Sequence, residues 1–224
     1  GLAYSIGMLV QLFISGMNSA LTPWMYSKIK KGDIRSMRKV LQLLSIVVVG
    51  IAVALMLISP ELVLIFGSPK YREAVYVIPP VAASVFFIFI YNILSMPQFY
   101  YEKTQFLMAA SMAAAGANVV LNFIFIRLFG YIAAGYTTLA CYMLYSVGHY
   151  IVSKRILVNE GIQENLMNPG FLLACSVFLI GASIICNLIF PYRILRYAIL
   201  LASAGLVFWK KELLLKTMAD IRKK

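Results

Sequence analysis

The stretch VLQLLSIVVVGIAVALMLIS, Val40 to Ser59, decides the fold: twenty residues without a charge, bounded by Lys39 and Glu61. A helix needs about 20 apolar residues to cross roughly 30 Å of hydrocarbon. Six other stretches read the same way: Leu2 to Pro23, Ala74 to Met96, Phe106 to Ile126, Ile132 to Val152, Gly170 to Phe190 and Ile194 to Trp209. The last is short and requires flanking side chains that snorkel. Of the 224 residues 62% are hydrophobic, well above the roughly 45 to 50% of soluble domains. Backbone amides in lipid must be satisfied within their own segment, and these runs lack the alternation of barrel strands. The expectation is an all-α integral membrane protein of about seven transmembrane helices.

The charges gather in the connections. Twenty Lys and Arg against eight Asp and Glu leave a net charge of +12, which by itself would suggest nucleic acid. These bases flank spans, however, and topology explains them without a nucleic-acid partner. Assigning alternate connections to alternate sides places 15 of the 20 on one side, including Lys28, Arg38, Lys39, Lys103, Lys154, Arg155 and the tail from Lys210. Lys70, Arg72, Arg127, Arg193 and Arg196 fall on the other. The positive-inside rule makes the richer side cytoplasmic. Seven spans then put the N-terminus outside and the C-terminus in the cytoplasm, and anionic membrane lipids become expected partners.

The connections divide the chain. Trp24 to Lys39 is basic and is expected to lie partly along the cytoplasmic interface. Pro60 to Glu73 reads as a compact outer loop, and Gln98 to Gln105 and Arg127 to Tyr131 as tight turns. Ser153 to Pro169 is the longest polar connection, with Gly161 as a breaker and Asn168-Pro169 as a turn. It separates five spans, residues 1–152, from two, residues 170–209. A basic tail, 210–224, has apolar residues near helical spacing and suggests a short interfacial helix. The chain opens on Gly1 and enters a span at once, which suggests the C-terminal part of a longer protein.

Uncharged polar residues report which face of a membrane helix avoids lipid. Tyr4, Gln11, Ser15, Asn18 and Thr22 follow the spacing of three and four that stacks side chains on one face. Ser84, Tyr91, Asn92 and Ser95 do so in the third span, which opens on Pro79-Pro80, a kink or a late helix start. Ser111, Asn118 and Asn122 line one face of the fourth span, and Thr138, Tyr142, Tyr145 and His149 one face of the fifth. The second span has little but Ser45 and reads as lipid-facing. Such stripes either join helices by hydrogen bonds or line a hydrated cavity; taken together they favour a cavity. No Lys or Arg is expected deep within a span.

All eight carboxylates lie in connections or tails, so no buried acid pair is available for proton relay or acid-base chemistry. His149 is the only histidine and reads as a hydrogen-bonded side chain rather than a proton switch. Cys141, Cys175 and Cys186 lie in spans without ligand spacing and read as packing residues. Neither metal ligation, nor another cofactor, nor a catalytic triad is indicated, and an enzyme is not expected.

Three stretches carry a family resemblance: ALTPWMYSKIKKGD, Ala20 to Asp33; ISPELVLIFGSPKYREAVYVIP, Ile58 to Pro79; and NVVLNFIFIRLFGYIAAGYTTLACY, Asn118 to Tyr142. In order and spacing they resemble the C-terminal half of bacterial oligosaccharide flippases, within the multidrug, oligosaccharidyl-lipid and polysaccharide exporter superfamily. The resemblance implies five helices of the second lobe of a MATE-like transporter followed by two extra helices, with the first lobe of the same protein as a missing partner. It implies translocation of an undecaprenyl-pyrophosphate-linked oligosaccharide across the bacterial inner membrane by alternating access. A cavity is needed because desolvating hydroxyls and a pyrophosphate in hydrocarbon is prohibitive. The expected cavity and substrate residues are Gln11, Asn18, Asn92, Asn118, Asn122, Arg127 and Tyr145, with Asn118 and Asn122 foremost because polar spacing and family motif coincide there. Arg127 stands where relatives often have Pro, and is expected to snorkel to headgroups rather than to meet a phosphate. Tyr71 matches the pattern as a structural anchor.

Three alternatives compete. A multidrug or ion-coupled exporter of the same superfamily would want an acidic residue inside a helix. A membrane-bound polymerase would want a large outer loop with catalytic charges. A fragment without independent transport would fold only with a partner.

Overall fold

The computed structural model describes residues 2–67 and 69–209, with side chains left out at 2–4, 6, 9–10, 69–71, 204 and 206–209. The expected interfacial helix of the tail and the side chains of Tyr4, Lys70 and Tyr71 lie outside the described residues. The described chain is helical: α1 (Leu2–Lys30), α2 (Ile34–Leu57), α3 (Ser59–Phe66), a 3-10 segment (Pro69–Tyr76), α4 (Ile78–Tyr100), α5 (Gln105–Phe129), α6 (Ala133–Asn159), α7 (Pro169–Ile189) and α8 (Arg193–Trp209). Each expected span has one long helix as its counterpart. Among the described residues α2, α4, α5 and α7 are long and apolar enough to cross a membrane on their own. The helices α1 and α6 dilute their apolar runs with amides, hydroxyls and tyrosines, and α8 has only 17 residues.

Local chemistry sets the helix ends. Asp33 caps α2, its carboxylate accepting from the Ser36 amide at 3.3 Å. Asn168 caps α7 in the same way, accepting from Gly170 at 2.9 Å, with Pro169 in the first turn, where its missing N–H costs nothing. Pro79 and Pro80 occupy the first turn of α4, so they mark a helix start rather than a kink. Gly130, with φ +76°, closes α5 by donating to Ile126 O, and Gly161, with φ +80°, turns the chain after α6.

The helices run further than the apolar stretches. The first of them continues through Pro23 to Lys30, so the connection to α2 is only residues 31–33 and not an interfacial stretch from Trp24 to Lys39. A proline removes one hydrogen bond and strains the turn before it, but packing of Leu21, Met25 and Ile29 in the core holds the helix together.

The centre of the bundle is α4. In its most apolar 18 residues 89% are buried, and α1, α2, α6 and α7 pack around it. A helix that is apolar on every side belongs in this position. Gly135 lets α6 approach most closely: a Cβ there would stand 2.8 Å from Pro80 Cγ and 3.1 Å from Val77 O. The expectation that the second span faces lipid is corrected. Met37, Leu41, Val48, Ala52 and Met56 form a buried face of α2 against α4, α7 and α8, and Ser45 on that face closes onto Leu41 O. Spacing could not reveal this, because residues 43–57 of α2 are apolar on nearly every face. The peripheral helix is α5, which packs mainly on α6 and has no buried residue.

Polar links join connections far apart in sequence and sort them into two ends. Lys28 to Asp33, Arg38 to Glu164 and Lys103 to Glu160 lie at one end. Tyr131 to Glu73 and Arg196 to Glu61 lie at the other. Alternate connections therefore meet, as antiparallel helices require. Arg196 departs from expectation: it falls inside the last apolar stretch, is 3% exposed, and is neutralised by Glu61.

Candidate functional site

Polar side chains converge where α4, α5 and α6 meet. On α6, Tyr142, Tyr145 and His149 are three and four residues apart and share a face. His149 is fully buried, with its Nδ1 2.8 Å from Gln98 Nε2 of α4. With the amide donating, Nδ1 is the acceptor and the ring hydrogen is on Nε2. His149 Nε2, Gln98 Oε1 and Ser153 Oγ find no protein partner.

Rings enclose this pair. Tyr145 meets His149 edge to face at 4.5 Å, Tyr91 lies 4.7 Å from Tyr145 and 5.8 Å from His149, and Phe106 of α5 closes the other side at 5.4 Å. Tyr91 also stacks nearly parallel to Tyr142 at 6.2 Å. Gly148 admits the Phe106 ring, whose Cζ would be 3.3 Å from a Cβ there. Ser111 of α5 and Tyr145 share a hydrogen bond of 2.8 Å between hydroxyls. Tyr91, Asn92 and Tyr145 are half-buried and Ser111 is exposed, so the cluster is deep at His149 and open at Ser111.

A second polar group lies further along α5. Asn122 Nδ2 donates to Asn118 Oδ1 at 2.8 Å, and Thr137 Oγ1 of α6 donates to Asn122 Oδ1 at 2.6 Å. This ladder joins the two helices. Arg127, one turn beyond, is exposed, with its guanidinium 3.9 Å above the Phe123 ring.

The remaining predicted positions are dispersed. Gln11 is exposed on α1. Asn18 is 7% exposed in α1, and neither polar atom of its side chain has a protein partner; Thr22, one turn on, reaches Met96 of α4. Asn92 turns back to donate to Ile88 O at 2.8 Å, and Ser84 and Ser95 likewise bond to their own helix. The structure brings Tyr145 together with Ser111, Tyr91 and His149, and Asn118 with Asn122 in a separate group further along α5, while Asn18 stands apart.

Gln98 escaped the sequence reading because it was placed in a turn after α4, whereas the helix continues to Tyr100 and buries it. The signal available was an amide seven residues after Tyr91, on the same helical face. The cluster offers neutral donors, neutral acceptors and ring faces. Among the described residues no group of His, Cys, Asp and Glu has the placement to hold a metal ion, and all three cysteines are free thiols.

Residues 1–124 match the MatE family model. No curated protein and no solved structure matches the chain.

Proposed function

Because the chain belongs to the MatE family, a family of membrane transporters and not of enzymes, we propose that its cargo is a lipid-linked oligosaccharide rather than a cationic drug. The observation that carries this reading is the α4, α5 and α6 cluster: aromatic rings beside hydroxyls and amides, with no carboxylate among them. Sugars present hydroxyls for hydrogen bonds and C–H faces for rings, and such a surface suits them. A cation exporter needs a negative charge within the membrane. The described carboxylates lie at the two ends, and Glu61, the most enclosed by partners, is neutralised by Arg196.

In this proposal the end bearing Lys28, Arg38 and Lys103 is cytoplasmic, by the positive-inside rule, and the membrane is a bacterial inner membrane. The exposed face of α5 is open to a partner lobe, and alternating access moves the headgroup while the lipid tail stays in the bilayer. The test is transport in proteoliposomes containing the full-length protein. A fluorescent undecaprenyl-linked oligosaccharide should change leaflet, and a lipophilic cation should not be expelled. Expulsion of the cation without movement of the oligosaccharide would replace this reading with the drug-exporter one.

A further inference from the structure

A groove of about 280 Å³ runs between α4, α6 and α7, walled by Phe87 and Ile90, by Met143, Val147 and Tyr150, and by Leu173. It opens sideways: Val147 is 56% exposed on α6 and Leu173 66% exposed on α7, which is long and apolar enough to cross a bilayer. Lipid chains are therefore the apolar matter in contact with it. Its α6 wall follows the spacing 143, 147, 150, and the next residue on that face is Lys154, which is exposed. Arg38 of α2 is tied by its ion pair with Glu164 to the connection that leads into Pro169 of the groove wall. One guanidinium nitrogen of Arg38 meets Glu164 at 3.2 Å, while its buried Nε has no protein partner. Two basic side chains, Lys154 one turn beyond the α6 wall and Arg38 with its Glu164 partner, thus stand toward one membrane boundary of the groove.

We propose that this groove is a binding site for an anionic phospholipid of the bilayer, one acyl chain lying along Ile90, Val147 and Leu173 and the phosphate held by Arg38 and Lys154. A guanidinium and an ammonium suit a phosphate, and basic groups at this depth favour anionic headgroups by about fivefold each. A zwitterionic lipid would bring a further ammonium to a place where two cations face only the one carboxylate of Glu164. The site requires the chain to sit in a bilayer and is independent of which cargo it carries, so failure of oligosaccharide transport would leave it standing.

The test places a tryptophan reporter in the groove wall, Leu173→Trp, in the full chain with Trp24 and Trp209 replaced by phenylalanine. The protein is reconstituted in vesicles of phosphatidylcholine containing either brominated phosphatidylglycerol or brominated phosphatidylcholine. Bromine quenching should be several-fold more efficient with the anionic lipid. The preference should vanish in Arg38→Gln/Lys154→Gln and, without any further substitution, in the reporter protein at high salt. A control reporter, Phe178→Trp, on another face of α7 where Phe178 is 55% exposed, should show equal quenching by both lipids. Equal quenching of the groove reporter, a preference that survives both the double substitution and high salt, or the same preference in the control reporter would each overturn the site.

Discussion

Arg196 of α8 grips Glu61 of α3 with two nitrogens, each 2.8 Å from a separate carboxylate oxygen, while the first of them also donates to Leu57 O at the end of α2. Tyr197 adds a hydrogen bond to the same carboxylate at 2.9 Å. Three elements meet at this one ion pair, and the guanidinium holds the Glu61 carboxyl below its usual range, the direction hydrogen bonding to the charged form requires. Placed inside an apolar stretch, Arg196 is tolerable only because it is paired.

Breaking the pair should therefore be worse than removing it. Glu61→Leu leaves a buried guanidinium uncompensated and should destabilise the protein by about 3 to 5 kcal/mol, whereas Glu61→Leu/Arg196→Met should recover much of that loss. Denaturant unfolding in detergent of the singles and the double gives the coupling; strict additivity would mean the pair does not act as a unit.

Gly135 sets the distance between α6 and α4. Gly135→Ala forces a methyl against Pro80 and the Val77 carbonyl and should cost about 1 to 3 kcal/mol despite its better helix propensity. Gly50→Ala on α2, where nothing lies within 4 Å, serves as the comparison and should be neutral or slightly stabilising. The two melting curves decide it.

The Gln98 side-chain amide donates both to His149 Nδ1 at 2.8 Å and to Leu94 O at 3.2 Å. His149→Phe removes the interhelical hydrogen bond of a buried amide, which keeps only Leu94 O, and should cost about 1 kcal/mol, and Gln98→Leu/His149→Phe should be milder than the single change. Ring contacts from Tyr91, Tyr145 and Phe106 remain available to the phenylalanine. A double variant as unstable as the sum of its parts would show that the hydrogen bond contributes little.

Asn122, held by Asn118 on the same helix, joins α5 to Thr137 of α6, and membrane hydrogen bonds of this kind contribute about 0.6 kcal/mol each. Asn118→Ala/Asn122→Ala should thus insert normally yet reduce oligosaccharide export sharply, as the proposed cargo path requires. Unchanged export at normal abundance would confine both residues to helix packing. Arg127→Ala should leave export nearly intact, because the guanidinium lies along its own helix over Phe123.

Asp33 provides a pH signature. The Lys28 ammonium, 2.6 Å away, together with Ser36, lowers its carboxyl from the usual 3.8 to about 2. A carboxyl depressed by folding adds stability above its unfolded value, and that contribution is lost as pH falls from about 4 through 2. Asp33→Ala should lose about 1 kcal/mol of capping at neutral pH and should no longer respond in this window. Thermal melts of both proteins between these pH values would show it.

Much of the architecture was legible along the chain. The seven apolar runs locate the long helices of the described residues, since hydrocarbon demands length and internal hydrogen bonding whatever the packing. Asn168-Pro169, Pro79-Pro80, Gly130 and Gly161 mark helix ends, because capping and positive φ are local matters. The sorting of charges into two ends follows from alternation alone. Partners were not legible. The apolar surface of α2 over residues 43–57 reads alike on nearly every side, so only packing against α4, α7 and α8 reveals its buried face. Gln98, read as loop, is core because α4 continues past Pro97 to Tyr100. Arg196 is stable in an apolar helix because Glu61, 135 residues away in sequence, folds back to meet it. The sequence by itself determined which segments become helices and which ends they share, through hydropathy and turn chemistry. Tertiary structure alone decided which polar side chains meet, because burial and charge pairing depend on contacts between residues that no local pattern relates.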